Sequence, residues 1–344
     1  MQTERMNEHS GILVIGAGAV GGLTAALIRQ RGLDVTLVCR DPRLARKISS
    51  KGIHLFGHCG DRRIRIPAVA GVNEVSGPVD TILIATKAHQ AEQVAREVLP
   101  LLKTTSRVVS MQNGIVEEEL SRIVGMDRIV GCVVRFGATL HEPGFVEMTS
   151  GGEILLGYLD RPADSTLSEI ARILSFVVPT GTTDRIMSVL YSKLIINSCI
   201  STLGAVSGLN LGSLLKLKKA RLLFLTITAE AMRVAGAMGL EVAPLAGRFT
   251  YQSLLNQRPL SRQLLIRIYG HKYKNLRSSN LRSLERGRKT EIDFLNGYIV
   301  QKGRLHGVDT PVNSRLVRMV HEIENKIRPI TPLNLEDELL DPHL

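Results

Sequence analysis

The chain has 344 residues, of which 44% are hydrophobic and 22% charged, and this composition excludes a disordered protein and favours two globular domains. Its formal net charge of +12 indicates either a solvated basic surface or an electrostatic field that attracts an anionic cofactor and substrate. Nucleic acid is disfavoured as a partner, because only 4% of the residues are aromatic and could stack on bases. No apolar run reaches about 18 residues, and residues 1–10 lack the apolar segment of a signal peptide, so we expect a cytoplasmic protein with no membrane association. The four cysteines form no CxxC pair, so we expect reduced thiols and no metal site.

The first half of the chain alternates predicted strands and helices. An apolar run at 11–15 has the length of a buried strand, a glycine-rich turn follows it, and residues 23–28 suit a helix. Further strands are predicted at 34–39, 79–85 and 107–111, with a helix at 90–102. Because this alternation continues to about residue 182, we predict a Rossmann-type α/β domain over residues 11–182, with a parallel sheet covered by helices on both faces.

The apolar spacing becomes helical after Gly181. Helices are predicted at 184–201, 211–238, 244–255, 290–306 and 312–327. The polar segment after Pro332 is expected to be loose. We therefore predict an all-helical C-terminal domain over residues 183–330, which carries the substrate and the catalytic group.

The turn after the first strand fits the dinucleotide-binding pattern G-x-G-x-x-G and lies between a strand and a helix, as its mechanism requires. In this pattern the first glycine allows a tight turn, the second lets the backbone approach a pyrophosphate, and the third lets helix and strand pack closely. We therefore predict that a dinucleotide binds to Gly16, Ala17, Gly18, Ala19, Val20 and Gly21.

The end of the second strand distinguishes the two nicotinamide cofactors. NAD-binding folds place an acid there for the ribose hydroxyls, but this chain has Arg40, and Asp41 falls within a helix-capping signature. A guanidinium at this position can bind a 2′-phosphate, although it can also be merely solvated. Lys87 is a second cation at the same predicted sheet edge. Together Arg40 and Lys87 favour NADP (NADPH) over NAD.

An ordered set of sequence blocks extends from residue 11 to about 322. The blocks are GAGAVGG at 16–22, TKAHQ at 86–90, MQNG at 111–114, KLIIN at 193–197, SS at 278–279, GRKTEID at 287–293, NG at 296–297 and HGVDTPVN at 306–313. In their order and spacing these blocks resemble ketopantoate reductases, the 2-dehydropantoate 2-reductase family.

The resemblance implies the reduction of a 2-oxo acid to a 2-hydroxy acid by NADPH in a cleft between the two domains, with ketopantoate of pantothenate biosynthesis as the substrate. It implies that Lys193 is the catalytic proton donor, and that Lys193, Asn197 and Ser279 bind the substrate. The residues that it implies beside the cofactor are Asn113, Ala138 and Glu291.

The chemistry of Lys193 supports this role. Reduction of a ketone leaves an alkoxide, which needs a positioned proton donor, and a protonated lysine can supply that proton. Helical spacing places Asn197 one turn after Lys193 and Ser201 one turn further, all on one face. Taken alone, Lys193 would be interpreted as a lysine snorkelling from a half-buried helix, Ser279 as a helix cap and Glu291 as a first-turn acid.

Three positions depart from the family pattern. Ser201 and Thr202 stand where members usually carry an Asn-Pro pair, Leu211 stands where a second asparagine is usual although Asn210 is adjacent, and Ser283 replaces an acid. These departures leave the identity of the 2-oxo acid open. The alternatives are a reductase of another branched or aromatic 2-oxo acid and a non-catalytic NADP-binding sensor. A homodimer is compatible with the sequence, which does not define the oligomeric state.

Overall fold

The computed structural model describes residues 11–245, 247, 249–272 and 274–341. The chain divides into two compact units. The first unit runs to Gln112 and continues from Val116 to Ile186, and the second consists of Asn113–Ile115 and the chain from Met187 onward. The division lies slightly beyond the predicted boundary at residues 182–183, and the sequence did not indicate that Asn113–Ile115 associates with the second unit.

The first unit contains two sheets. Its strands are β1 (Ile12–Ile15), β2 (Val35–Val38), β3 (Ile53–Gly57), β4 (Arg62–Ile64), β5 (Ala68–Val69), β6 (Val79–Ile84), β7 (Leu102–Ser110), β8 (Ile129–Val134), β9 (Gly137–Glu142), β10 (Phe145–Ser150), β11 (Ile154–Gly157) and β12 (Thr180–Thr182). Its helices are α1 (Ala19–Gln30), α2 (Pro42–Lys51), α3 (Ala91–Val98), α4 (Glu117–Val124) and α5 (Ser165–Leu174), with short 3-10 turns at Val72–Glu74, Ala88–Gln90 and Leu99–Leu101.

The main sheet has the order β12-β11-β8-β7-β6-β1-β2-β5. Its pairs are parallel, as predicted, except that β11 runs antiparallel to β8. A parallel neighbour requires a long crossover, usually a helix, but the chain between β8 and β11 forms the hairpin β9–β10 instead. The predicted parallel sheet is therefore confirmed except at this one antiparallel pair.

The second sheet, with the order β4-β3-β10-β9, was not predicted. Helix α1 contacts β1 of the main sheet and also β3, β4, β9 and β10 of the small sheet. A helix covered by sheets on two sides buries residues all round, and α1 accordingly buries every residue from Gly21 to Ile28. The small sheet thus fixes α1, and with it the turn that precedes α1.

The described part of the second unit is helical. Its helices are α6 (Ile186–Ser207, beginning on the last residue of the first unit), α7 (Leu211–Leu214), α8 (Lys218–Ala237), α9 (Tyr251–Leu255), α10 (Pro259–Lys272), α11 (Ser279–Glu285), α12 (Asn296–Leu305) and α13 (Pro311–Glu324), with 3-10 turns at Ile292–Phe294, Pro332–Glu336 and Glu338–Leu340.

The observed helices of the second unit differ from the predicted ones in several details. The predicted helix 211–238 is divided into α7 and α8, and among the described residues of the predicted helix 244–255 only α9 is helical. The predicted helix 290–306 is α-helical only in α12, because a 3-10 turn occupies Ile292–Phe294. Helices α10 and α11 were not predicted. The large apolar side chains of α10 do not mark a buried face, because Leu260, Leu264 and Ile268 are exposed.

Helix α6 lies at the centre of the helical unit. By length and composition alone it could cross a membrane, although polar residues interrupt its apolar sequence. However, 72% of its most apolar stretch of 18 residues is buried. Its residues Cys199, Leu203 and Val206 belong to the apolar core with α8 and α13. This burial is typical of a core helix.

The expectation of a loose tail is wrong for the described residues up to 341. Leu335 and Leu340 are fully buried, and the Asn334 side chain donates to the Val206 carbonyl oxygen at 2.8 Å. Arg315 of α13 also binds Asp337 through two hydrogen bonds of 3.2 and 2.6 Å. Buried leucines and specific polar partners therefore hold this segment despite its polar composition.

Candidate active site

The ends of three neighbouring strands form one edge of the main sheet. Ile15 of β1 pairs with Val38 of β2 on one side and with Ile84 of β6 on the other, so the three strands end in register. The strand order reverses at this point, and ligands of parallel α/β sheets bind beyond the carboxyl ends of the strands at such a switch point. The residues that follow these strands are the glycine turn, Arg40 and Lys87.

Two glycines of the turn are required by close packing. Gly16 has φ +114°, and a Cβ there would lie 2.9 Å from the backbone of Ala85. A Cβ on Gly21 would lie 2.1 Å from the Gly16 carbonyl oxygen and 2.8 Å from the Ala85 Cβ. Real Cβ atoms do not approach so closely, so both positions require glycine if α1 is to begin this near to β1 and β6.

Gly18 differs, because a Cβ there would meet no atom of the described residues within 4 Å. Gly18 is the N-cap of α1, no side chain caps this helix end, and the first turn contains no acid. The first amide groups of a helix have no partner within the helix, and the helix dipole makes this end positive. The open space in front of Gly18 is therefore suited to an anionic group such as a phosphate.

The charged residues at this edge have different surroundings. Arg40 is exposed and follows Cys39, which is buried; burial raises the pKa of the Cys39 thiol to about 12. Asp41 is the N-cap of α2, where one carboxylate oxygen accepts from the Arg43 amide at 2.8 Å. Lys87 is half-buried and precedes the turn Ala88–Gln90. The structure thus places one arginine and one lysine at the strand ends, and assigns the nearest acid to a helix cap.

Ala138 lies on the small sheet rather than on the main one. It is half-buried on β9, pairs with Met148 of β10, and packs against the apolar core of the first unit. Since β9 contacts α1, Ala138 belongs to the layer that covers this helix.

Lys193 and Asn197 are half-buried on α6, and Ser201 is only 6% exposed. The helix is continuous from Ile186 to Ser207, so the four-residue spacing brings these three residues onto one side. Lys193 has the fully buried Leu194 and Ile195 as its next neighbours along the chain. The amine and the amide lie on a core helix whose other polar residues are serines, a threonine and a tyrosine.

Ser278 connects the segment of Ser279 to this helix, and Asn280 connects Glu291 to the same segment. Ser278, not Ser279, caps α11, and its hydroxyl also donates to the Ser201 carbonyl oxygen at 3.0 Å. The Asn280 side-chain oxygen accepts from the Glu291 amide at 3.3 Å. The alternative interpretation of Ser279 as a helix cap is therefore wrong by one residue, and no sequence signal marked Asn280.

Glu291 and Asn280 are both buried, with exposures of 2% and 0%. The amide nitrogen of Asn280 has no hydrogen-bond partner within the described part of the chain. Ser279 itself is half-buried at the first position of α11. The second unit therefore brings Ser201, Ser279 and Glu291 together through direct contacts of Ser278 and Asn280.

The segment of Asn113 packs beside the segment of Glu291. Gly114 has φ +90°, and a Cβ there would lie 2.4 Å from the Phe294 carbonyl oxygen, in the turn that follows Glu291. This close approach explains why Asn113–Ile115 belongs to the helical unit. Asn113 is half-buried.

The three departures from the family pattern are all buried. Leu211 is 3% exposed in the apolar core, and the side chain of the adjacent Asn210 caps α7 by accepting from the Ser213 amide at 2.8 Å. The Ser283 hydroxyl donates to the Ser279 carbonyl oxygen at 3.1 Å, within α11. Because the Asn210 side chain already caps α7, it is not expected to substitute for the asparagine that is missing at position 211.

Comparisons with known proteins cover both units. A family model described as "Ketopantoate reductase PanE/ApbA" matches residues 12–161, and the model of the C-terminal part of the same family matches residues 185–324. The chain is 27% identical to the 2-dehydropantoate 2-reductase of Pyrococcus horikoshii over 317 residues, which is 91% of this chain and 97% of that protein.

Two solved structures extend this likeness to the fold. The PanE/ApbA family ketopantoate reductase of Ralstonia eutropha JMP134 is 26% identical, with a TM-score of 0.79 over 92% of this chain and 99% of that chain. A D-mandelate dehydrogenase in a ternary structure with NADH and anilino(oxo)acetate is 25% identical, with the same TM-score and the same coverage.

Proposed function

Because this chain belongs to the ketopantoate reductase family, we propose that it reduces the 2-oxo acid ketopantoate to the corresponding 2-hydroxy acid with NADPH. The observation that carries the proposal is the half-buried pair of Lys193 and Asn197 on one side of a core helix. Pantothenate biosynthesis and a cytoplasmic location follow from the substrate and belong to the same proposal.

The glycine turn fits a dinucleotide. The open space at Gly18 can accept the pyrophosphate, while the packing at Gly16 and Gly21 holds the positive end of α1 at the switch point of the sheet. When bound, NADPH supplies the hydride for the reduction. We propose that Asn113, Ala138 and Glu291 also line the cofactor site.

Arg40 and Lys87 favour the phosphorylated cofactor. A guanidinium forms paired hydrogen bonds with phosphate oxygens, and the acid that could bind a ribose hydroxyl, Asp41, already caps α2. The D-mandelate dehydrogenase with a similar fold was solved with NADH, so NADH is the competing cofactor to be tested.

Lys193 is the proposed proton donor. Reduction of the carbonyl group leaves a negative charge on its oxygen, and the Lys193 ammonium group can donate the proton that neutralises it. Asn197 and Ser279 offer an amide and a hydroxyl that can hydrogen-bond the carboxylate and carbonyl oxygens of the substrate. Lys193 therefore combines catalysis with substrate binding.

The test is NADPH consumption by the purified protein with ketopantoate and with a panel of branched and aromatic 2-oxo acids. We expect turnover with ketopantoate. Lys193→Ala should lower kcat by roughly 10²–10⁴-fold, the usual contribution of one general acid, with NADPH affinity unchanged. The matched control is Lys216→Ala, since Lys216 is exposed on another part of the same unit.

The competing outcomes are distinct. NADPH binding without consumption in the presence of any 2-oxo acid would indicate a non-catalytic sensor. Turnover restricted to aromatic or branched acids would keep the reaction but replace the substrate. Wild-type kcat in Lys193→Ala would exclude Lys193 as the proton donor.

A further inference from the structure

The side of α6 opposite Lys193 carries a hydrogen-bonded contact that the proposed reaction does not use. At roughly 100° per residue, Thr202 lies about 180° and Ser198 about 140° around the helix from Lys193. Both residues are fully buried. The contacts of Thr202 and Ser198 therefore show how the side of α6 opposite Lys193 is held in place.

The side chain of Asn296, the first residue of α12, forms a hydrogen bond with α6 at each of these positions. Its side-chain oxygen accepts from the Thr202 hydroxyl at 2.5 Å, and its amide nitrogen donates to the Ser198 carbonyl oxygen at 3.2 Å. The two contacts are one helical turn apart and use opposite ends of one planar amide. This pair of hydrogen bonds, called the clamp below, restrains both the rotation of α6 about its axis and its sliding along that axis.

A buried carboxylate fixes the orientation of this amide. Glu230 of α8, which is 1% exposed, accepts from the backbone amides of Val312 and Asn313 at 2.9 Å each and from the Asn313 side chain at 2.5 Å. Because the Asn313 nitrogen faces the carboxylate, its oxygen must face Asn296, from which it accepts at 2.8 Å. Only one arrangement of both amides satisfies every donor.

Hydrogen bonds matter here because apolar packing alone does not define the rotation of α6. Large apolar residues such as Leu190, Ile195 and Leu203 are buried on different sides of the helix. Apolar contacts are non-directional, whereas a hydrogen bond weakens steeply when its angle changes. A small rotation of α6 would therefore break the clamp before it cost much apolar contact.

We propose that Thr202 and Asn296 are positioning residues that hold the rotation of α6 and thereby aim Lys193 and Asn197. The proposal rests on the proposed function for its catalytic consequence. The hydroxyl of this clamp is supplied by Thr202, and the amide by Asn296. Glu230 and Asn313 act behind the clamp by fixing the Asn296 amide.

The test is Thr202→Val, which keeps the shape of the side chain and removes the hydroxyl. We expect kcat with the best 2-oxo acid to fall about 10- to 100-fold, within the range for a reacting group displaced by about 1 Å, with NADPH affinity changed less than about 2-fold. Thr202→Ser restores the hydroxyl and should return kcat to within about 3-fold of the wild type. Val320→Ala is the control for lost stability, since Val320 is buried on α13 outside the clamp.

A second readout does not depend on activity. In protein labelled with ¹³C at lysine Cε, the Lys193 signal is assigned by its loss in Lys193→Arg. It should shift in Thr202→Val, or in Thr202→Ala if the valine variant does not fold, and stay in place in Thr202→Ser and Val320→Ala. If the wild type shows no turnover, the proposed function fails, and this signal still decides the positioning role. An unchanged Lys193 signal in folded Thr202→Val, or a kcat loss shared equally by Val320→Ala, would overturn the proposal.

Discussion

At the scale of single residues, the proposed preference for NADPH rests on the charges at the strand ends. Arg40 is exposed at the end of β2, and the neighbouring Asp41 has one oxygen engaged in the cap of α2. The proposed role of Arg40 is to bind the 2′-phosphate of NADPH, and position 40 carries no acid that could bind a ribose hydroxyl instead. Cofactor preference is therefore a property of very few side chains.

Replacing Arg40 by alanine should weaken NADPH binding while leaving NADH binding nearly unchanged. A charge-assisted hydrogen bond to phosphate contributes roughly 1.5–3 kcal/mol, or about 10- to 150-fold in Kd. Titration of both cofactors checks this, with Arg43→Ala as the control because Arg43 is also exposed, three positions further on. An equal loss for both cofactors would remove Arg40 from the phosphate site.

Single residues also bear on the choice of substrate. Ser201 presents one hydroxyl on the side of α6 that carries Lys193 and Asn197, and Leu211 presents no polar atom. We expect poor discrimination between ketopantoate and its analogue without the terminal hydroxyl, because an under-paired polar group costs about 1–3 kcal/mol. Ser201→Asn should raise the ratio of kcat/KM values for the two compounds. A wild-type ratio of about 10⁴ or more would show that other residues bind the hydroxyl.

At the scale of elements, α1 shows how packing sets the position of a ligand-binding turn. The helix is buried between two sheets, and its N-terminus approaches β1 and β6 only because Gly21 has no side chain. Gly22, the next residue, has room, since a Cβ there would lie 3.4 Å from the end of the Ile53 side chain. The two adjacent glycines of this helix therefore differ in how well each position can accept a side chain.

Gly21→Ala should destabilise the protein and weaken NADPH binding, whereas Gly22→Ala should be tolerated. The new methyl at position 21 would overlap the Gly16 carbonyl oxygen, and overpacking of this kind costs typically 1–3 kcal/mol. At position 22 the gain in helix propensity of up to about 1 kcal/mol offsets an ordinary contact. Thermal unfolding and NADPH titration of both variants measure the contrast. Equal behaviour of the two would mean that α1 can shift away from β1 without cost.

At the scale of the whole molecule, the C-terminal segment is fastened to the helical unit by ion pairs. Arg315 binds Asp337 through two hydrogen bonds and Glu322 through a third at 2.7 Å, and Arg328 joins Glu322 and Asp337 from the segment itself. Arg315 and the Asp337 side chain are largely buried, with exposures of 8% and 13%. This network is screened far less than a surface ion pair.

Asp337→Asn should therefore lower the free energy of unfolding by about 1.5–3 kcal/mol at neutral pH, the usual range for a hydrogen bond to a charged group. The Arg315 hydrogen bonds lower the pKa of Asp337 below its unfolded value. A depressed carboxyl pKa stabilises the folded state above the unfolded pKa of about 3.9, and this contribution is lost as the pH falls through the folded pKa.

Urea unfolding of wild type and variant at neutral and acidic pH measures this effect. The difference between them should shrink as the pH falls below about 4. The control is Asp341→Asn, because the Asp341–Lys219 pair in the same segment is more exposed and 3.6 Å long, and such pairs contribute about 0–1 kcal/mol. A difference that is the same at both pH values would exclude the ion pair as its source.

The sequence by itself determined the features that depend on local pattern. Apolar periodicity predicted the α/β arrangement of the first half and the helical second half. The spacing of the glycines, together with this periodicity, predicted the strand–turn–helix from Ile12 to Gln30. The family also followed from the sequence, because its blocks keep their order and spacing along the chain. Lys193 and Asn197 share one side of a helix because four-residue spacing dictates it.

Only the tertiary structure decided features that depend on residues distant in the chain. The small sheet joins β3 to β10, and the polar C-terminal segment is ordered by Arg315 and by carbonyl groups of α6. Asn296 reaches Thr202 across 94 positions, and Ser278 reaches Ser201 across 77. Such contacts leave no periodic signal, because each depends on how whole elements pack, whereas propensity and periodicity act only within one element.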